Sequence, residues 1–282
     1  MNILSIQSWV AYGHVGNASA VFPLQRLGAE VFAVNTVQFS NHTGYGDWTG
    51  DVFTGAQIGR LIDGLAARGA IARCDAVLSG YMGDAGIGGA ILDAVRRVKR
   101  ENPRAIYCCD PVIGDDDTHI YVRNGIPEFM RTEALPQADI ITPNRFEVEQ
   151  LVGHACATLA NVKQAITELQ ALGPRTVLVT SVRTNDTPDE ALDMIAGEAG
   201  TFHRLRTPLL PLAVNGAGDA LAALFLFHHL RTGSAAAALA EAGSSIYGLL
   251  RRTAEADSRE ILTVAAQQEF VEPSERFASV PC

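Results

Sequence analysis

The regular alternation of strand-like and helix-like segments is the feature that most constrains the fold. Short apolar runs recur at Asn2–Gln7 (NILSIQ), Val31–Val37 (VFAVNTV), Ala76–Ser79, Ala105–Cys109, Ile140–Thr142 and Thr176–Thr180. Runs of this length, bounded by polar or glycine-bearing stretches, read as buried strands. Between them lie segments with helical spacing, at Asn17–Leu27, Gln57–Arg68, Ile87–Lys99 and Val162–Leu172. The third sets Ile87, Ile91, Leu92, Val95 and Val98 on one face. Gly28 follows the first at the position where a left-handed residue commonly ends a helix. Ala191–Ile195 and Thr201–His203 flank GEAG and read as a hairpin, and Ala217–Leu230 and Ser234–Leu250 as two further helices. Such alternation predicts an α/β protein with a mainly parallel central sheet between two helical layers, a three-layer α/β/α sandwich. There is no repeat or linker-like stretch, and the polar segment Ser181–Glu190 is short and flanked by strands. A single domain over 1–282 is therefore expected, with only the tail from about Glu272 loosely held.

Composition narrows the function. Hydrophobic residues make up 48% and charged residues 19% of 282, enough for one sizeable core. The formal net charge is −9, and the densest basic cluster is Arg96-Arg97 with Lys99-Arg100 at a helix end. Extended nucleic-acid binding needs a basic face, so that class is set aside. The five cysteines include the adjacent pair Cys108-Cys109 and no CxxC. That spacing suits neither a disulfide framework nor zinc, and fits reduced thiols in the cytoplasm. The start, MNILSIQSWVAYGHVG, lacks the basic region of a signal peptide, and no run of about 18 apolar residues suits a membrane span.

In a parallel sheet of this kind, ligands bind outside the carboxyl ends of the strands. The loops after Gln7, Val37, Ser79, Cys109, Thr142 and Thr180 are therefore expected to converge on one site.

The most informative segment is Asn215-Gly216-Ala217-Gly218-Asp219, followed directly by the apolar helix ALAALFLFHHL. Glycines let backbone amides approach a ligand, and a helix N-terminus attracts anions such as phosphate. A carboxylate in the first turn is placed to take a proton from an attacking hydroxyl during phosphoryl transfer. The competing reading is a plain helix cap. No GxxxxGK[ST] is present, so this is not a Walker A loop.

NGAGD before an apolar helix resembles the G-x-G-D signature of the ribokinase-like kinases. Asp110-Pro111-Val112 with Gly114 resembles their D-P-V-x-G, and Thr142-Pro143-Asn144 with Glu147 their T-P-N-x-x-E. Within that superfamily, Ser5-Ile6-Gln7-Ser8, Gly13-His14-Val15-Gly16-Asn17, Asn35 to Thr43 (NTVQFSNHT) and Ser79-Gly80-Tyr81 are similar to the pyridoxal kinase family. The resemblance runs from about residue 2 to residue 270.

The resemblance implies ATP-dependent phosphorylation of a 5′-hydroxymethyl group. Asp219 would be the base, and Gly216, Ala217 and Gly218 would hold the transferring phosphate through their amides. Ser8, Thr43, Gly44 and Tyr81 would contact the vitamer, with His14 and His42 in the same loops. Asp110 and Glu147 would order magnesium and the ATP phosphates, partly through water, with Asn144 in support. Thr142, Thr180, Thr207, Pro208, Leu209 and Leu210 would line the nucleotide. Magnesium, ATP as co-substrate, a monovalent cation and a homodimer belong to the same expectation. Two readings compete with pyridoxal as substrate. One is a ribokinase-like kinase for another hydroxymethyl compound, such as hydroxymethylpyrimidine or a sugar. The other is a vitamer-binding protein that has kept the fold. The chain also departs from its relatives in two places. Thr180 or Ser181 stands where some carry a nucleotide-side lysine. The acidic run Asp115-Asp116-Asp117 reads as a solvated loop, with a cation site or a phosphate-covering flap as alternatives. That loop has no cysteine, so no covalent capture of substrate is expected there.

Overall fold

The structure, a computed structural model, describes residues 1–282. The chain opens with β1 (Asn2–Tyr12), α1 (Asn17–Arg26), β2 (Glu30–Asn41), β3 (Gly50–Val52) and α2 (Gly55–Ala67). β4 (Ala76–Ser79), α3 (Gly86–Glu101) and β5 (Ile106–Cys109) follow. A small hairpin of β6 (Gly114–Asp115) and β7 (His119–Ile120) leads to α4 (Ile126–Phe129), which continues as a wider π-type turn (Met130–Ala134) and a tighter 3-10 turn (Leu135–Gln137). Next come β8 (Ile140–Ile141), α5 (Arg145–Val152), α6 (Leu159–Leu172) and β9 (Thr176–Val182). The hairpin β10 (Ala191–Glu198) and β11 (Thr201–Pro208) precedes α7 (Ala217–Thr232), α8 (Ala235–Glu255) and α9 (Gln268–Val271), and β12 (Val280–Pro281) ends the chain.

Ten strands form one sheet in the order β12-β11-β10-β9-β8-β5-β4-β1-β2-β3. The strands from β9 to β2 pair in parallel, while β3 and the β10–β12 extension are antiparallel. Side chains alternate across the pleat. Leu4, Ile6, Val77, Cys109, Val177 and Val179 pack in one core with residues of α2, α3, α5 and α6. Ile3, Ala76, Leu78, Cys108 and Leu178 pack in a second core with α1, α7, α8 and α9. The expected three layers are present, and strand after strand is buried on both faces, which is why those segments read as unbroken apolar runs.

Helix starts follow local chemistry. Capping boxes open α2 (Thr54 with Gln57), α5 (Asn144 with Glu147) and α6 (Thr158 with Asn161). Helix α7 differs: Gly216 is its N-cap, in the left-handed region at φ 83°, and no side chain caps it. The amides of its first turn have no intrahelical acceptors and are left for something else.

Three features depart from expectation. β1 and β2 run on to Tyr12 and Asn41, because Trp9, Val10 and Tyr12 pair with Gln38, Phe39 and Asn41. The polar residues that look like loop are therefore strand. Helix α5 is only eight residues long, too short for its period to show. The tail is not loosely held. β12 pairs with His203 and Arg204, the Cys282 amide donates to the Phe202 carbonyl (3.1 Å), and Phe277 stacks edge-on against Tyr247 at 4.8 Å. Its polar composition gave no sign of this docking.

Candidate active site

The strand β1 carries an irregularity between Gln7 and Trp9, and Ser8 is the residue at that bulge. Bulges re-aim side chains, often beside functional sites. Ser8 is buried, and Trp9 bridges back to Gly16 at the start of α1. A Cβ on Gly16 would lie 2.3 Å from both the Ser8 carbonyl and hydroxyl oxygens, so only glycine fits there. The Gly16 amide in turn faces the Asp219 carboxylate closely enough to favour its charged form. Ser8, Gly16 and Asp219 therefore meet, although more than 200 residues separate the first from the last.

The glycine turn is built against the same loop. A Cβ on Gly216 would sit 1.7 Å from the His14 carbonyl oxygen, and the Ser19 hydroxyl of α1 donates to the Gly216 carbonyl at 2.7 Å. Glycine is required at 216 by both contact and φ. The amides of Ala217 and Gly218 stand at the positive end of α7, beside a half-buried Asp219. Low-polarity surroundings push the Asp219 carboxyl up to about 6, while the Gly16 amide and its own amide pull the other way.

Across the site, Asp110 follows β5 and Thr142 follows β8. The Thr142 hydroxyl donates to Asp110 Oδ1 at 2.9 Å. Burial, then the field of Asp219, holds the Asp110 carboxyl above the usual carboxylate range, and the Thr142 bond opposes them. Glu147 is buried in α5. Its Oε1 accepts the Ile113 amide (2.8 Å) and its Oε2 the Asn144 amide (2.9 Å). Burial and the nearby Asp110 raise Glu147 strongly as well. Asn144 caps the Glu147 amide (2.8 Å) and donates to the Gly114 carbonyl (2.8 Å). Asn144 and Glu147 thus fasten the segment after Asp110 to α5. Thr180 joins this corner through the bridge to Asn144 and its amide bond to the Pro143 carbonyl (2.9 Å).

Other predicted residues lie farther out. Tyr81 is half-buried after β4 and packs with Val10, Val15, Val37 and Phe39. Thr43 and Gly44 are exposed in a short turn after β2, where the Gly44 amide donates to His42 Nδ1. Thr207 is buried in β11 opposite Leu192, and Pro208, Leu209 and Leu210 follow at its end. No hydrogen bond joins Thr207–Leu210 to the acid cluster, and the Leu209 amide is used by the Glu190 carbonyl. Asp115–Asp117 is exposed to solvent, as expected, but part of it is structured. Asp115 lies in the β6–β7 hairpin, and Asp116 is gripped by Arg145 through two contacts of 2.7 Å.

Two further residues bear on the site. Tyr121, just past β7, is half exposed; burial, then the charges of Glu147, Asp219, Asp110 and Asp115, push its hydroxyl far up. Glu260 binds Tyr45 and the His14 amide. Nothing in the local sequence of either points to the site, because each acts across the fold.

No Lys or Arg makes an ion pair with Asp110, Glu147 or Asp219. Asp219 beside the free amides of α7, with Asp110 near enough to feel its charge and no cation paired with either, suits a ligand that carries its own cation. No group of three or more His, Cys, Asp or Glu side chains forms a direct metal cage. A hydrated magnesium ion, which keeps several waters and few carboxylates, fits that arrangement.

A layered α/β sheet with an acid-bearing glycine turn at its strand ends has the form of a ribokinase-like small-molecule kinase. Comparisons refine that class. The family profile for phosphomethylpyrimidine kinase matches residues 56–263. A pyridoxal kinase PdxY of Granulibacter bethesdensis is 64% identical, with both chains covered in full. One from Rubrobacter xylanophilus is 53% identical over 98% of this chain and 96% of its own. The structure of a pyridoxal kinase from Leishmania donovani in complex with ADP and pyridoxine superposes with a TM-score of 0.92 at 29% identity, over 100% of this chain and 99% of that one. The chain belongs to the pyridoxal kinase family.

Proposed function

We propose that this chain transfers the γ-phosphoryl group of ATP to the 5′-hydroxymethyl oxygen of pyridoxal, giving pyridoxal 5′-phosphate and ADP. The observation that carries the reading is Asp219 beside an open glycine turn, in a chain 64% identical to a pyridoxal kinase end to end.

Asp219 takes the proton of the attacking hydroxyl. Its raised carboxyl is still mostly ionised at pH 7 and is basic enough to accept that proton. The hydroxyl oxygen bonds to phosphorus as the bond to the β-phosphate oxygen breaks. The amides of Gly216, Ala217 and Gly218 stabilise charge on the transferring group. Ser8, Thr43, Gly44 and Tyr81 hold the vitamer. Thr142, Thr180, Asn144 and the Thr207–Leu210 segment border the nucleotide. Asp110, supported by Glu147, would hold a hydrated magnesium ion, which would supply positive charge to the phosphates. Glu147, with both oxygens engaged by amides, acts mainly by shaping the loop around Asp110.

No helix is long and apolar enough to cross a membrane. We take the chain as one cytoplasmic kinase domain that works as a homodimer.

One observation favours a second reading. The matching family profile is named for phosphomethylpyrimidine kinase. That match begins at residue 56, however, and so leaves out Ser8, Thr43 and Gly44, which carry the vitamer resemblance. A coupled ATP-turnover assay with Mg²⁺ against pyridoxal, pyridoxine, pyridoxamine, hydroxymethylpyrimidine and ribose decides between them. Turnover confined to the B6 vitamers is expected. Preference for hydroxymethylpyrimidine would reassign the substrate, and tight pyridoxal binding without ATP consumption would make the chain a binding protein.

A further inference from the structure

We infer that Glu260, in the connection between α8 and α9, is a positioning residue that latches the vitamer-side turn Thr43–Tyr45 to the glycine loop Gly13–Gly16. The inference rests on the proposed pyridoxal kinase reading and assigns a role to a segment that carries none in it.

Glu260 bonds to two separate loops. Its Oε1 accepts the Tyr45 hydroxyl at 2.5 Å, and its Oε2 accepts the His14 amide at 3.0 Å. Gly13, at φ 95°, makes room for it, since a Cβ there would lie 2.5 Å from Oε2. Glu260 is itself anchored: the Ser258 hydroxyl donates to its carbonyl (2.7 Å) and accepts its amide (3.2 Å). The Arg259 guanidinium stands 4.7 Å over the Tyr45 ring and clamps the same side chain from its face. The Glu260 charge reaches past Tyr45 to His42, where it opposes the lowering effect of burial.

The Tyr45 bond matters because no other hydrogen bond ties the turn to the loops around it, where the Tyr45 ring also meets Tyr12 edge-on at 6.0 Å. Hydrogen bonds of Thr43, Gly44 and Gly46 stay within the turn, to His42 and to each other. Tyr45 Oη to Glu260 is the only hydrogen bond from residues 43–46 to any residue outside the segment Ser40–Thr49. The other end of the latch leads to the phosphate side, because the His14 carbonyl is the surface against which Gly216 is packed. One carboxylate thus sets the spacing between the turn bearing Thr43 and Gly44 and the turn bearing Asp219. No hydrogen bond joins the nucleotide corner around Asn144 and Thr180 to this path.

The test uses full-length wild type, Tyr45→Phe, Glu260→Gln and the double variant. In steady-state kinetics, KM for pyridoxal should rise about tenfold in each single variant, the scale of one charge-assisted hydrogen bond. kcat and KM for ATP should stay within about twofold, and the double variant should be no worse than the worse single. Parallel rises in both KM values, an unchanged KM for pyridoxal, or additive losses would overturn the latch. Amide hydrogen exchange of ligand-free protein gives an independent readout. Gly44 and Gly46 should lose protection in both single variants, while α5 and β9 keep theirs; unchanged exchange in the turn refutes the inference whatever the substrate. Wild type that fails to turn over pyridoxal while the variants still loosen the turn would fault the substrate assignment and leave the latch standing.

Discussion

Replacing Asp219 by Asn should make the protein more stable and nearly inactive at once. The Asp219 carboxyl is raised from 3.8 to about 6 by burial. The difference is about two pH units, and at about 1.4 kcal/mol per unit it amounts to about 3 kcal/mol as an upper bound. The sign follows from proton binding. The folded state holds this proton more tightly than the unfolded chain, so folding is penalised wherever the carboxyl is charged. The penalty is absent below about pH 3.8, grows through the window up to about 6, and is constant above it. Asparagine keeps the shape and carries no charge, and it also relieves the field that raises Asp110. Urea unfolding of the ligand-free proteins at several pH values should show a stabilisation of Asp219→Asn near zero at pH 4 and about 1–3 kcal/mol at pH 7. kcat should fall by about 10²- to 10⁴-fold, the scale of lost general-base catalysis. A variant that is less stable at pH 7, or one with near-normal kcat, would refute the reasoning.

Thr142→Val removes the only group that lowers Asp110, so the acid limb of the kcat profile should move to higher pH. An unshifted limb would show that Asp110 ionisation does not govern turnover. Gly216→Ala brings a Cβ to 1.7 Å from the His14 carbonyl at a left-handed φ. It should cost about 2 kcal/mol or more in urea unfolding and more than about a hundredfold in kcat/KM. Chelation of divalent ions should abolish turnover reversibly, with Mg²⁺ restoring it. Deleting Phe277–Cys282 removes the Phe277–Tyr247 contact and β12, and should cost about 2–4 kcal/mol by thermal or urea unfolding, with little change in KM for pyridoxal.

Much of this architecture was legible because the central strands are buried on both faces and the long helices on one. Ile3 to Ile6, Ala76 to Leu78 and Ile87 to Val98 carry their environment in their spacing. The site was legible where the chemistry is local: NGAGD holds its glycines, its acid and its helix start within five residues. It was opaque where chemistry arises from contact across the fold. Glu260 lies 215 residues from Tyr45, and Tyr121 gains its surroundings only from a hairpin that brings it among the acids. Asn144 and Glu147 were visible as a motif, but their use as a capping box that ties down the loop at Ile113 appears only in three dimensions. The docking of the tail leaves no sequence signal, because two residues pairing on a sheet edge have no period to detect.

The docked tail also gives the protein a chemical handle. Cys74, Cys108, Cys109 and Cys156 are buried, and Cys282 alone is partly open to solvent. Lys163 donates to the terminal Cys282 oxygen at 2.7 Å, which pins this residue beside α6 and β11. A single thiol-reactive dye would therefore label the native enzyme at one place, on the sheet edge opposite the vitamer-side loops. Its signal would report fraying of that edge separately from events in the catalytic cleft.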